Sequence, residues 1–154
     1  MKLEDVLKSD AVLPLSKRTA INFFVTNHIF MEKYTSFFKQ YDISLQQFNV
    51  LRILKGQKGK PANLATIQER MVHKNSNTTR LIDKLITKDL VERSICPENR
   101  RKVEIIITEN GLELLDTINP KLEALEDSMT RLLTINEAET LNILLEKLRG
   151  SQSD

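Results

Sequence analysis

Two short segments with helical periodicity, about 63–71 and about 76–88, are separated by only Val72-His73-Lys74-Asn75. Leu64, Ile67 and Met71 give the first an apolar face, and Leu81, Ile82 and Leu85 give one to the second. Four residues leave room for nothing but a tight turn, so the pair reads as a helix-turn-helix. The next segments change period. Residues 90–95 and 102–107 read as strands, the second rich in β-branched residues, and Cys96-Pro97-Glu98-Asn99-Arg100-Arg101 is the polar, basic turn between them. A hairpin directly after a helix-turn-helix is a wing.

The flanks are helical. Residues 17–41 carry Phe23, Phe30 and Phe37 seven apart, with Phe24, Met31 and Phe38 beside them, which makes one wide apolar face. Ser16 is the cap candidate, and Pro14 stops any earlier helix from running straight on. A second helix starts at the cap Ser44 and ends at Gly56, and the stretch Gly56–Pro61 is a loop. Thr108 caps a helix over 109–130, which Pro120 should bend or interrupt, and a last helix spans about 136–149. Four Gly, four Pro and no Trp fit long helices with few irregular loops.

Charge is spread unevenly. Residues 1–69 hold ten Lys/Arg against six Asp/Glu, residues 70–102 nine against four, and residues 103–154 four against eleven. A surface facing phosphate needs a local excess of cations, so a nucleic-acid face belongs to the middle of the chain and not to its acidic end. A lone cysteine, Cys96, cannot close an internal disulfide, and the first residues are too charged for a signal peptide; both fit a cytoplasmic protein.

Four pieces in register carry a family resemblance: Thr79-Arg80-Leu81-Ile82-Asp83-Lys84-Leu85, Leu90-Val91-Glu92-Arg93, Pro97-Glu98-Asn99-Arg100-Arg101 and Ile107-Thr108-Glu109-Asn110-Gly111. In order and spacing they resemble the MarR family of bacterial regulators: recognition helix, "G-L-V-x-R" strand, "D-R-R" wing and "L-T-x-x-G" helix opening. Two positions depart from that pattern. Asp89 stands where the family has Gly, at a helix end that often needs a left-handed backbone, which Asp tolerates better than most residues. Asn99 stands where the wing has Asp, and it cannot form an ion pair with the neighbouring arginine.

The resemblance implies a mostly α fold with a small β-hairpin wing: a winged helix-turn-helix domain plus a helical dimerisation region built from both termini. The chain is then a single domain over 1–154. Residues 1–41 and 112–154 form the dimerisation region and residues 42–111 the DNA-binding lobe, with the helix-turn-helix at 63–88 and the wing at 90–107. It also implies a sequence-specific regulator of transcription, a repressor, that binds an inverted-repeat operator on double-stranded DNA as a homodimer.

A helix starting near Ser76 puts Asn77, Arg80 and Lys84 at i, i+3 and i+7, opposite Leu81 and Leu85 and free to enter a major groove. Asn pairs bidentately with adenine and Arg with guanine, so Asn77 and Arg80 are the expected sequence readers; Ser76 and Thr79 suit phosphate or adaptable contacts. His73, Lys74 and Asn75 lie at the positive end of that helix, where phosphate is gripped. At the hairpin tip, Asn99, Arg100, Arg101 and Lys102 reach an adjacent minor groove. One module makes a small interface, whereas a symmetric pair sets two recognition helices roughly 34 Å apart on a palindrome.

All six Phe and both Tyr fall between Phe23 and Phe48. They either pack the joint between dimer region and DNA-binding lobe or line a pocket for a small aromatic effector; by resemblance that pocket includes Phe24, His28, Tyr34 and Phe48. His28 reads equally as an effector contact or a surface histidine. No cofactor is expected. Only His28 and His73 are present and neither has a second ligand at metal spacing, so no metal site is expected; a redox role for Cys96 would rest on nearby arginines alone. No nucleophile, base and carboxylate recur at a catalytic spacing, so the chain does not read as an enzyme. The rival reading is a winged-helix protein–protein module without specific DNA binding.

Overall fold

The computed structural model describes residues 2–8, 11–73, 77–95 and 103–150. Lys74, Asn75, Ser76, Cys96, Asn99, Arg100, Arg101 and Lys102, all singled out above, lie outside the described residues.

In chain order the elements are α1 (Leu3–Leu7), α2 (Leu15–Lys39), α3 (Leu45–Lys55), α4 (Leu64–Arg70), α5 (Thr78–Thr87), β1 (Val91–Ile95), β2 (Val103–Ile107), α6 (Glu109–Thr130) and α7 (Ile135–Gly150). Local chemistry sets several boundaries. Ser44 and Gln47 form a reciprocal capping box at α3: the Gln47 amide donates to Ser44 Oγ at 3.1 Å and the Ser44 amide to Gln47 Oε1 at 2.9 Å. Asn63 caps α4 by accepting from the Thr66 amide at 2.8 Å, and Thr108 caps α6 by accepting from the Gly111 amide at 3.1 Å. The long helix α2 starts two residues earlier than its apolar period suggests, with Pro14 and not Ser16 at the N-cap, where its missing N–H costs nothing. The short α1, invisible in the sequence, buries Leu3 and is tied to α2 by an ion pair between Glu4 and Arg18.

β1 and β2 pair antiparallel, with Val91 opposite Ile107, Arg93 opposite Ile105 and Ile95 opposite Val103. Ala62, just after the stretch read as loop, bridges to Ile105 by two backbone bonds of 2.9 and 2.8 Å, so the hairpin is stitched to the segment entering α4.

The core is one cluster. Phe38 of α2, Phe48, Leu51 and Leu54 of α3, Ile67 of α4, Ile82 and Leu85 of α5, Ile105 of β2, and Leu115 and Ile118 of α6 all converge there, each nearly or fully excluded from solvent. Each such side chain stabilises by about 1.5–3 kcal/mol relative to exposure. Pro120 does not interrupt α6, which runs unbroken through it. A proline removes one helical N–H bond, and Ile118 and Leu122, buried on either side, hold the helix across the gap.

Outside this core the chain exposes large apolar side chains. Phe23 and Phe24 of α2 are 54% and 68% exposed, Val12 and Leu15 stand almost free, and α7 buries none of its residues although it carries Leu141, Ile143, Leu144 and Leu148. No helix among the described residues is long and apolar enough to cross a membrane.

Candidate nucleic-acid interface

The helix α5 begins at Thr78, two residues later than expected from Ser76, because Asn77 is the residue that caps it. Its Oδ1 accepts from the Arg80 amide at 3.1 Å. Asn75-Ser76-Asn77 is a run of three good cap formers, and sequence alone does not choose among them. Asn77 is therefore not on the helical face with Arg80 and Lys84; it sits at the helix mouth with its amide oxygen occupied. Thr78, next to it, is buried.

Two faces of α5 separate cleanly. Ile82 and Leu85 are fully buried and Leu81 is half-buried, while Thr79, Arg80, Asp83 and Lys84 are exposed. Asp83 takes the guanidinium of Arg93 on β1, Nη2 to Oδ1 at 2.8 Å. That pair ties the hairpin to the helix and engages the Asp83 carboxylate that stands next to Lys84. Arg80 and Lys84 have no ion-pair partner among the described residues. An unneutralised Arg and Lys, one turn apart on a rigid helix backed by core, form a surface suited to an anionic groove. His73 is exposed in the connection between α4 and α5.

The far end of α5 is also fixed. Asp89 has φ 55°, the left-handed conformation anticipated from its place in the pattern. Its carbonyl accepts from Thr108 Oγ1 at 2.7 Å and its carboxylate from Asn110 Nδ2 at 2.7 Å, so the start of α6 is bolted to the end of α5. Gly111 lies against this joint: a Cβ there would sit 2.3 Å from the Leu90 carbonyl oxygen and 2.7 Å from Ile107 Cγ1. The pattern "L-T-x-x-G" thus has a packing cause. On the other side, Lys88 Nζ donates to the carboxylate of Asp42 at 2.7 Å and to its backbone carbonyl. Neither the Asp83–Arg93 pair nor the Lys88–Asp42 pair was found from sequence; partners ten and 46 residues apart have no local signature.

Of the two readings of the aromatic residues, packing accounts for Phe38 and Phe48 and for Tyr34 and Phe37 beside them. Phe48 is a core residue against Phe38, ring centroids 4.8 Å apart. Tyr34 stacks on Phe38 and donates to Glu126 at 3.0 Å; partial burial, then that hydrogen bond, pushes its hydroxyl up to about 12. Phe24 is exposed, and His28 lies on the surface with Nε2 3.3 Å from Glu32. Phe24 and Tyr34 are ten residues apart on one helix, roughly 15 Å along its axis, so the four do not line a common cavity within one chain. The chain does carry an open cleft of about 660 Å³ between the α2–α3 corner and the end of α5, lined by Met31, Phe38, Ile43, Lys84 and Lys88 among others. A second, of about 850 Å³, runs along α2 past His28 and Phe37 to Leu125.

The family model described as "MarR family" matches residues 43–103, which spans α3 through the hairpin. The HTH-type transcriptional regulator SarZ of Staphylococcus haemolyticus is 26% identical over 130 residues, covering 84% of each chain. A MarR transcription factor from Planctomyces limnophilus is 29% identical, with a TM-score of 0.70 over 88% of this chain and 98% of that one. A mutant of E. coli MarR complexed with operator DNA, 22% identical, superposes with a TM-score of 0.73 over 96% of this chain and 99% of that one. With a helix-turn-helix whose outer face is cationic, a hairpin stitched behind it and long helices from both termini, the chain has the winged-helix fold of the MarR family and is similar to that family's DNA-binding transcriptional regulators.

Proposed function

We propose that the chain represses transcription by binding an inverted-repeat operator as a homodimer. The observation that carries this reading is the outer face of α5, where Arg80 and Lys84 have no ion-pair partner among the described residues while both ends and the inner face of the helix are locked in place. A preorganised donor face loses little freedom on entering a major groove. Arg80 reads a guanine, and Lys84 and Thr79 contact the backbone or adjacent bases. Asn77 contributes through its NH2 group, its oxygen being engaged at the cap; His73, Lys74, Asn75 and Ser76 grip phosphate beside it. Asn99, Arg100, Arg101 and Lys102 extend the contact into the flanking minor groove.

The dimer reading is supported by apolar surface that one chain leaves uncovered at both termini: Val12, Leu15, Phe23 and Phe24 at one end, Ile143, Leu144 and Leu148 at the other. Residues 1–41 and 112–154 then serve as dimerisation region and residues 42–111 as DNA-binding lobe. A bound dimer covering a promoter excludes the polymerase. Release by a small aromatic effector fits the aromatic content of α2, but Phe24, His28, Tyr34 and Phe48 would need a second chain to close around a ligand.

The test is binding to a random duplex and to a duplex selected by the protein from a random pool, over a salt series. The wild type binds the selected duplex at two chains per duplex with a steep loss of affinity as salt rises. The Arg100→Ala/Arg101→Ala variant weakens on both and shows a shallower salt slope. Salt-independent or absent binding by the wild type would instead fit a protein–protein module, and equal retention of wild type and variant would remove the wing from the interface.

A further inference from the structure

Two helices end side by side, each in a left-handed aspartate. The end of α2 closes through bonds from the Tyr41 and Ile43 amides to the Phe38 carbonyl, which leaves Asp42 at φ 53° on the corner before α3. The end of α5 closes through Lys88 and Asp89, with Asp89 at φ 55°. Lys88 bridges the two. Its ammonium reaches both the carboxylate and the carbonyl of Asp42, and its side chain is only 29% exposed although it is a lysine. Two hydrogen bonds to one residue fix a direction as well as a distance, which a single surface ion pair does not do. The next residue, Asp89, is bonded to the start of α6 through Thr108 and Asn110. The C-terminal end of α5 is thus held from two sides, by the α2–α3 corner through Lys88 and by α6 through Asp89.

We propose that Lys88 and Asp42 are positioning residues that set the tilt of α5 on the long helix α2, and through it the separation of the two DNA-reading helices, without touching DNA themselves. This rests on the reading of α5 as the DNA-reading helix of a dimer. Lys88 differs in this from Lys84, one turn earlier, which has no ion-pair partner among the described residues. The pair also forms one edge of the cleft lined by Met31, Phe38 and Ile43, so any change in that cleft bears on it.

The sign of one substitution separates positioning from plain electrostatics. Asp42→Gly removes a negative charge, and glycine adopts φ 53° without strain, so the corner survives. If Lys88 served as a phosphate contact held back by Asp42, this variant would bind DNA more tightly, because the protein becomes more cationic. Positioning predicts the opposite. With the full-length protein and a duplex selected by the wild type from a random pool, Asp42→Gly and Lys88→Met each lose about three- to tenfold in affinity. The slope of log affinity against log salt stays at the wild-type value, the double variant is no weaker than Lys88→Met, and Lys88→Arg recovers most of the loss. Thermal unfolding of each variant at one protein concentration identifies any loss that comes from unfolding. Affinity of Asp42→Gly equal to or above wild type overturns the proposal, as does a slope shallower by about 0.9 in Lys88→Met, the value for one lost phosphate contact. Should the wild type select no duplex at all, the DNA-reading assignment of α5 fails instead, and the same variants then separate by whether they shift the unfolding midpoint.

Discussion

Replacing Gly111 by alanine should destabilise this protein, although the same change in most helices stabilises it. Gly111 is the third residue of α6. Judged by helix propensity alone, alanine gains about 1 kcal/mol there, partly by restricting the unfolded chain. The surroundings reverse the sign. The added Cβ falls 2.3 Å from the Leu90 carbonyl oxygen and 2.7 Å from Ile107 Cγ1, and neither neighbour yields easily. The Leu90 carbonyl already accepts from the Thr108 amide at 3.2 Å, and Leu90 is itself buried at the junction of α5 and β1. Overpacking of this kind costs about 1–3 kcal/mol, and a backbone obstacle places it at the upper end. The net is about 2 kcal/mol of lost stability, or roughly 4–8 °C in Tm for a chain of this size. Gly150 supplies the control, since it ends α7 and a Cβ there meets nothing within 4 Å. Thermal unfolding at a single fixed protein concentration, because assembly shifts Tm, should show Gly150→Ala unchanged and Gly111→Ala clearly lower. An unchanged or raised Tm for Gly111→Ala would refute the argument that close approach, and not backbone conformation, selects glycine at this position.

Asn77→Ala should cost about 1 kcal/mol of stability through loss of the α5 cap, while Asn77→Asp keeps the cap yet weakens DNA binding by bringing a negative charge to the groove; chemical unfolding and duplex binding measured on both variants would expose a different ordering. Tyr34 is one of two tyrosines, and its hydroxyl is pushed up to about 12 by burial and by Glu126. An absorbance titration of the phenolate band should therefore contain a late component near pH 12 that vanishes in Tyr34→Phe, and its persistence in that variant would place the perturbation elsewhere.

Much of the DNA-binding lobe was legible because its signals are local. Ser44, Thr108 and the left-handed Asp89 each act within three or four residues, and apolar spacing in 63–71 and 76–88 follows from the helical period itself. The start of α5 was displaced because three consecutive cap formers precede it, and the choice of Asn77 depends on the burial of Thr78, which is a tertiary fact. Ala62 was missed as a sheet partner because a single bridging residue has no period. At Pro120 the sequence shows the lost hydrogen bond but not the buried Ile118 and Leu122 that compensate for it. The placement of the aromatic side chains depends on tertiary structure in the same way. Clustering in sequence along α2 is dispersion along its axis: Phe24 and His28 lie on the surface, whereas Tyr34 and Phe48, of α3, both pack on Phe38.

The helix α7 has a consequence for how the protein responds to its own abundance. It spans 16 residues, buries none of them fully within one chain and half-buries only Ala138 and Leu145, whereas helices in proteins draw most of their stability from packing an apolar face. Its order therefore gains from whatever lies over Leu141, Ile143 and Leu144. If that cover is a second copy, folding the terminus and assembling the dimer are one event, second order in concentration. A few molecules per cell would then be short of partners and of structure alike, and doubling the supply would more than double the competent form.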